Sequence, residues 1–266
     1  MAVRLRHAGH EIGEIATRAG AESRARGARL ARKTGAKSRT VTLAKLDADV
    51  IWLAVPDGEI ARCAEELAAT REWEGKTVVH SSGALASDAL DALRRRGAAT
   101  ASVHPMMTFV AGEAPELKGV WFAVEGDAKA AAVASRLVKS VGGHVSRIRR
   151  EEKALYHTFG ALLSPLLVAE LAAAERVGEA AGLKRDDLRK VMRPIVLRTV
   201  ENYLERGGAA AFSGPLVRGD VETIQKHVRA LKKSPDEKEL YKALARYALK
   251  RLPSRRREAI RRALLS

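Results

Sequence analysis

The sequence predicts a mostly parallel α/β domain over residues 1–150, followed by an all-α domain over residues 151–266. Three observations predict this. The first is a set of three apolar runs that break at their C-terminal ends into Pro, Gly, His, Ser or Asp. They are Asp49-Val-Ile-Trp-Leu-Ala-Val-Pro-Asp57, Lys76-Thr-Val-Val-His-Ser-Ser-Gly83 and Ala101-Ser-Val-His-Pro-Met-Met-Thr-Phe109. In an open parallel sheet, ligands bind outside the carboxyl ends of the strands, and these are the residue types found there. The second is the alternation of short apolar runs with helical segments over residues 10–150, which marks βαβ units. The third is a change of period at residue 151, after which the pattern stays helical to the end.

The elements follow in order. Residues 10–16 read as a strand and 22–33 as a helix. Residues 50–55 form a strand that is apolar on both faces, as a central parallel strand is. A helix over 57–69 follows, with Asp57 placed as its N-cap. Then come a strand at 77–80, a helix at 85–96, and strands at 99–104 and 120–124. A helix at 128–141 and a strand at 144–148 complete the first domain. Residues 151–181 read as one long helix, kinked at Pro165, where proline removes a helix hydrogen bond. Gly182 caps its C-terminus. The next helix, 186–206, ends at Gly207-Gly208, and a loop spans 209–219. Helices at 220–232, 235–251 and 253–265 close the chain, the last two starting near a proline suited to a first helical turn.

Composition bounds the function. Of the 266 residues, 46% are hydrophobic but only 4% aromatic, so the core is built from Ala, Val and Leu. No apolar run approaches the roughly 18 residues needed to span a bilayer. The first ten residues lack a signal-peptide pattern, so a cytoplasmic protein without membrane association is expected. The single cysteine, Cys63, excludes an internal disulfide and reads as inert packing on a helix. The net charge of +16 is concentrated at the ends: ten Lys/Arg against three acids in residues 1–39, and twelve against four in residues 232–266. Such ends attract phosphate backbones. No zinc-finger spacing or aromatic-interleaved motif accompanies them, so the expectation is an Arg-rich solvated surface rather than a nucleic-acid partner, and no metal site.

A doubly wound dinucleotide-binding domain opens with a strand, a G-x-G-x-x-G turn and a helix. Residues 1–9 instead read as the second half of that first helix, and 10–16 as the second strand. By this pattern the chain is expected to start about 15–20 residues late, without the first strand and the glycine loop. A topology that never needed the loop is the alternative. Loss of the central strand would leave its neighbours' backbone groups unpaired, and loss of the loop would remove the pyrophosphate's seat on a helix N-terminus.

Five stretches carry a family resemblance: Leu53-Ala-Val-Pro-Asp57, Val79-His-Ser-Ser-Gly-Ala84, His104-Pro-Met-Met-Thr-Phe109, Lys153-Ala-Leu-Tyr-His157 and Ser213-Gly-Pro-Leu-Val-Arg-Gly-Asp220. Together they resemble a bacterial family of Rossmann-like proteins with a helical C-terminal domain of unknown function. It is related to deazaflavin-dependent NADP oxidoreductases, pyrroline-5-carboxylate reductases and β-hydroxyacid dehydrogenases. The resemblance runs from about residue 1 to residue 231 and departs at the absent glycine fingerprint and at Ser164-Pro165, where the pattern has Ser-Asn. It implies a Rossmann-like sheet, a nicotinamide cofactor, a small-molecule substrate and a homodimer formed by the helical domain.

Candidate site residues follow the strand ends. Thr17 and Arg18 end the second strand, where an acid would bind the NAD ribose or an arginine the NADP 2′-phosphate. No acid comes before Glu22, so NADP is favoured over NAD; a basic surface turn is the plain alternative. Ala54, Val55, Pro56 and Asp57 would pass under the cofactor's ribose and phosphates, or form an ordinary strand–helix turn. His80, Ser81 and Gly83 lie near the expected nicotinamide position. Gly83 permits close backbone approach to a ligand, and His80 reads either as a proton donor or as a buried structural histidine. His104, with Pro105 and Thr108, would aim polar groups at the same cleft, with Thr108 on the substrate. Lys153 and His157 lie four apart and share a helix face, with Tyr156 pointing elsewhere. The resemblance to β-hydroxyacid dehydrogenases puts the substrate's oxygen against this face, with His157 where those enzymes carry Asn. A lysine of depressed pKa, or the histidine, is the candidate general acid; a solvated helix face is the bland reading. Arg218 is placed to bind a substrate carboxylate, with Asp220 as an N-cap or an ion-pair partner that fixes the loop.

The expected function is hydride transfer between NADP and a small polar carbonyl or imine substrate. The competing expectation is a non-catalytic nucleotide-binding or regulatory protein of the same fold.

Overall fold

The computed structural model describes residues 1–110 and 115–265. It comprises two compact units, Met1–Ser164 and Pro165–Ser266. The division falls after Ser164 rather than at residue 150, because the first turns of the post-150 helix are anchored on the strands of the first unit.

The first unit opens with helix α1 (Ala2–His7), strand β1 (Glu14–Thr17), helix α2 (Ala21–Thr34) and strand β2 (Lys37–Thr40). It continues with β3 (Val50–Leu53), α3 (Asp57–Ala68), β4 (Thr77–His80), α4 (Asp91–Arg94) and β5 (Ala99–Pro105). It closes with β6 (Trp121–Gly126), α5 (Ala128–Ser140), β7 (His144–Arg147) and α6 (Lys153–Leu163). Strand β2 has no counterpart in the sequence reading: Lys37-Ser-Arg-Thr40 is mostly exposed and carries no apolar run. The helix expected over 85–96 is a 3-10 turn, Ser87–Leu90, running into the short α4.

Two sheets result. β1 and β2 pair in parallel with each other, and β3-β4-β5-β6-β7 form a separate five-stranded sheet with β3 at its edge. All pairings in the larger sheet are parallel except β5 with β6. The antiparallel step brings the start of β6 beside the carboxyl end of β5, with Pro105 opposite Phe122. One face of the sheet buries Ile51, Leu53 and Val78 against Ile60, Leu67 and Trp73. The other buries Val79, Val103 and Val124 against the alanines of α5, Ala130, Ala131 and Ala134. Alanines at that spacing let the helix approach the sheet closely, which is how so few aromatics fill this core.

Helix α6 ends at Ser164, whose φ of −128° and ψ of −84° break the backbone before Pro165. The expected kink is therefore a full interruption. The second unit begins with α7 (Pro165–Ala180), followed by α8 (Arg185–Ala211), α9 (Pro215–Arg218), α10 (Val221–Ala230), α11 (Pro235–Arg251) and α12 (Arg257–Ala263). Gly207 interrupts α8 with φ 75° and ψ 166°, so the predicted stop is a kink and the helix resumes to Ala211. The core of this unit is Ile224 and Val228 of α10 with Ala245 and Leu249 of α11 and Ile260 and Leu264 at the α12 end. Helix α7 buries no side chain, and α8 buries only Leu188. The stretch Arg150–Ala180 is long and apolar enough to cross a membrane by length and composition, and its most apolar 18-residue window is not buried. The sequence reading counted only unbroken apolar runs, so it passed over this one, in which Ser, Thr and His interrupt the apolar residues.

Candidate functional site

The carboxyl ends of β4 and β5, with the first turn of α6, form one polar cluster inside the first unit. β4 ends at His80, which is fully buried. Its Nε2 lies 3.0 Å from the Ala86 carbonyl, and its Nδ1 accepts the Ser82 N–H at 3.1 Å. These partners make His80 a neutral ring with its proton on Nε2. Burial is the main cause that lowers its pKa to about 4, with the Lys153 charge adding to it. Both His80 nitrogens are thus committed to shaping the turn that follows it.

That turn is tied to β3 and α3. Ser81 Oγ accepts from Trp52 Nε1 at 2.7 Å, and Ser82 Oγ donates to Asp57 Oδ2 at 2.7 Å. Asp57 is the first residue inside α3 rather than its N-cap; Pro56 holds the cap position without a side-chain bond. The carboxylate therefore braces the Ser82 turn instead of closing its own helix. Ala54, Pro56 and Asp57 are exposed, while Val55 packs on the core beneath them. At the end of β1, Thr17 Oγ1 donates to the Arg39 carbonyl at 3.3 Å. Arg18 is exposed, and its charge reaches Glu59 in the first turn of α3, lowering that carboxyl's pKa behind the larger effect of Arg62.

Lys153 opens α6 and is 2% exposed. Its Nζ donates to Ser102 Oγ on β5 at 2.5 Å, and Ser102 Oγ in turn lies 3.4 Å from the Ser82 carbonyl. Burial lowers the Lys153 pKa to about 8, against the raising effect of Glu125 and then Asp57. His104 follows two residues after Ser102. Burial first, then the charges of Lys153 and His157, lower it to about 4. Its Nδ1 is buried without a hydrogen-bond partner. Tyr156 and His157 meet the His104 ring edge-on, at centroid distances of 5.7 and 6.0 Å. Tyr156, expected to point elsewhere, packs on this cluster, with its hydroxyl 3.5 Å from the His104 carbonyl. Gly83 closes the cluster: a Cβ there would fall 2.4 Å from His157 Cδ2 and 2.8 Å from His104 Nε2.

The structure thus brings together Lys153, His157, His104, Gly83, Ser81 and Asp57. Thr108 is exposed, three residues past the end of β5. Arg218 and Asp220 lie in the second unit. Asp220 caps α10, its carboxylate accepting Thr223 N–H at 3.1 Å and Thr223 Oγ1 at 2.8 Å; these bonds lower its pKa. This is the N-cap placement that the sequence predicts. Arg218 is exposed at the end of α9, and no ion pair with Asp220 is formed among the described residues. Ser102 and Tyr156 join the cluster without having been expected there. The signal for Ser102 was available, since a serine inside a fully apolar strand has to find a buried partner.

The two buried histidines set the acid stability of this unit. Each has a folded pKa near 4, below the unfolded value of 6.5. The unfolded chain therefore binds more protons between these pH values. Stability is fully present above about pH 6.5 and is lost as pH falls towards 4, by on the order of 3 kcal/mol for His80 and less for the partly exposed His104. The depressed Lys153 acts likewise at higher pH: its burial costs stability at neutral pH and is relieved as pH rises above about 8. Urea denaturation at pH 4.5, 7 and 9.5 should give stabilities increasing in that order, and His80→Gln should flatten the acid side. An unchanged acid slope in that variant would remove His80 as its source.

Comparison with known proteins fits this architecture. A Rossmann-like domain model matches residues 1–105, and a model described as a domain of unknown function (DUF2520) matches residues 120–248. Curated proteins give no match. Among solved structures, a candidate NADP oxidoreductase from Bacteroides fragilis is 23% identical with a TM-score of 0.73, covering 94% of this chain and 93% of that one. A Thermotoga maritima protein is 24% identical with a TM-score of 0.73, covering 97% and 94%. A reductive aminase from Aspergillus terreus, in complex with NADPH and ethyl-5-oxohexanoate, is 16% identical with a TM-score of 0.66, covering 97% and 93%. The chain therefore joins a Rossmann-like domain to a DUF2520 domain, the two-domain architecture of the family its motifs resemble.

Proposed function

We propose that this protein is an NADP-dependent oxidoreductase that reduces a small polar carbonyl or imine. The observation that carries the reading is Lys153: a buried ammonium seated on Ser102, at the strand ends where this class of sheet binds ligands. A perturbed lysine beside neutral histidines is the pattern of a site tuned for proton transfer near neutral pH. The fold neighbours named as an NADP oxidoreductase and a reductive aminase support the reaction class.

The residues present fit the nicotinamide side of such a cofactor. Gly83 lets the His157 and His104 rings seat against the turn, the orphaned His104 Nδ1 can take a partner, and the exposed Ala54–Asp57 turn offers backbone to ribose and phosphate. Arg18 offers a cation to a 2′-phosphate, which favours NADP over NAD. No residue is assigned to the pyrophosphate. When bound, the reduced nicotinamide supplies the hydride. Lys153 gives one proton from Nζ to the substrate oxygen or nitrogen, and its pKa of about 8 keeps it charged at neutral pH. His104 stays neutral and serves as a hydrogen-bonding wall rather than a proton donor. His157, exposed and packed on Gly83, borders the reacting carbon.

Calorimetric titration with NADPH, followed by NADPH oxidation against ketones, aldehydes and ketone–amine mixtures, tests the reading. Saturable binding with turnover on one substrate class is expected, and NADPH should bind more tightly than NADH. Failure to bind either cofactor would sink it. The separation of β1 and β2 from the larger sheet favours a second reading, a nucleotide-binding regulator without turnover. Binding without oxidation of NADPH across the panel is its signature.

We also propose that the protein works as a homodimer through its α7 and α8 surfaces. Leu166 and Val168 on α7, and Val191, Ile195 and Leu204 on α8, are exposed large apolar side chains, a concentration that marks an interface. Charges interleave with them, Glu170, Glu175 and Arg176 on α7 and Arg193, Arg198 and Glu201 on α8, which suits a protein partner better than lipid. A dimer mass by light scattering is expected, with Ile195→Arg and Leu204→Arg together giving monomers. A monomeric wild type, or one that partitions with vesicles, contradicts this.

A further inference from the structure

Lys153 is a buried cation, and the fold gives it a buried anion. Glu125 on β6 is 3% exposed. It is the ladder partner of Ser102 across β5 and β6, so the two side chains leave the sheet on the same face as neighbours. The Lys153 ammonium donates to that same serine hydroxyl. Glu125 and Lys153 are therefore both buried neighbours of Ser102, one by strand register and one by hydrogen bond. Burial removes both from bulk water, and a buried ion without a counter-charge is strongly disfavoured. Both carboxylate oxygens are also fixed. Oε1 accepts the Ser87 N–H at 2.7 Å, and Oε2 accepts the Ser87 hydroxyl at 2.9 Å. Ser87 opens the 3-10 turn just after Gly83, so the carboxylate is clamped by the segment that carries Ser82 and Gly83. Arg94 supports the clamp from outside, lying 3.5 Å from Ser87 Oγ and 3.3 Å from Asp127 Oδ2.

We propose that Glu125 is a positioning residue for the reduction: clamped by Ser87, its carboxylate holds Lys153 charged and seated on Ser102, the state from which the proton is delivered. The catalytic consequence rests on the oxidoreductase reading; the pairing itself does not. Other titratable groups around Lys153 are Asp57 at the start of α3, His80 on β4, His104 on β5 and His157 one turn along α6. Glu125 is the leading influence that raises the Lys153 pKa, ahead of Asp57, and the two buried histidines stay uncharged down to about pH 4. Glu125 thus opposes the burial that would otherwise discharge the lysine, while Ser87 ties its position to the site loop.

The test is a cofactor-free NMR titration of protein labelled with 13C-lysine and 13C-glutamate, with Lys153 assigned by its loss in Lys153→Met. The Glu125 Cδ resonance should inflect at the Lys153 midpoint, and the inflection should vanish in Lys153→Met. In Glu125→Gln the Lys153 midpoint should fall by about one pH unit. With NADPH and substrate, the alkaline limb of the kcat profile should move down by the same amount. A Glu125 resonance without that inflection overturns the proposal, as does an unmoved Lys153 midpoint in folded Glu125→Gln. If Glu125→Gln does not fold, the wild-type inflection decides alone. Coupled titrations in a protein that never oxidises NADPH would uphold the pairing and overturn the oxidoreductase reading.

Discussion

Replacing Lys153 with methionine should lower NADPH-dependent turnover by about 10²–10³-fold and leave NADPH binding intact. Methionine keeps the length and apolar bulk of the side chain, so the packing that leaves Lys153 2% exposed is largely retained. What is lost is the proton and the charge. Losing the charge has a second effect. The Lys153 ammonium helps to depress both His80 and His104, so their pKa values should rise towards the unfolded value in the variant and the acid-side loss of stability should become smaller. Glu125 would be left buried with Ser87 as its partner. Stopped-flow NADPH oxidation separates this loss of kcat from a rise in KM. A variant with wild-type kcat would remove Lys153 as the acid and move attention to His157, whose exposed ring also borders Gly83.

Much of this site was legible in the sequence, for a physical reason. A parallel strand has to be apolar throughout its buried length, so the residue types at its carboxyl end stand out against it. His80, Gly83 and His104 announced themselves in that way, and β3, β4 and β5 fall within two residues of their predicted bounds. Lys153 with His157 was visible as helical spacing, and the structure places both against the same strand ends. The rest depended on pairing partners, which spacing does not encode. His80 read equally well as ligand contact or structural histidine until its two nitrogens were seen to be taken by Ala86 and Ser82. Asp57 looked like a helix cap because it opens a helix, but Ser82 lies across from it in space, 25 positions on. Tyr156 was turned away by helical geometry alone, yet its hydroxyl reaches the His104 backbone. Strand β2 escaped because an exposed two-stranded sheet needs no apolar run. Glu125 was the least legible: an acid within Trp121-Phe-Ala-Val-Glu125 becomes a site feature only through its register opposite Ser102.

Gly126→Ala should be the most damaging single methyl group in the first unit, costing roughly 3–5 kcal/mol. Gly126 closes β6 with φ +127°, a region L-residues rarely enter. A Cβ there would lie 2.4 Å from the Thr100 carbonyl oxygen and 2.6 Å from Ala101 Cα. Both are backbone atoms of β5, and Ala101 is the ladder partner of Gly126, so neither can swing aside as a side chain would. Gly83→Ala differs in kind. There the crowding comes from the His157 and His104 rings, and His157 is exposed enough to rotate, so the fold should survive while the reaction site is blocked. Gly119→Ala is the control for conformation alone: its φ is +78° with nothing within 4 Å of the added carbon, and a loss of about 1 kcal/mol is expected. Thermal melts of the three variants should rank Gly126→Ala lowest by a wide margin. Gly126 also lies between Glu125, which holds Ser87, and Asp127, whose Oδ2 accepts the Thr100 N–H at 2.7 Å. Moving the strand end should displace both carboxylates, so any folded fraction of Gly126→Ala should also show a lowered Lys153 midpoint. A melt close to wild type would mean that β5 and β6 part at that end more easily than their ladder indicates.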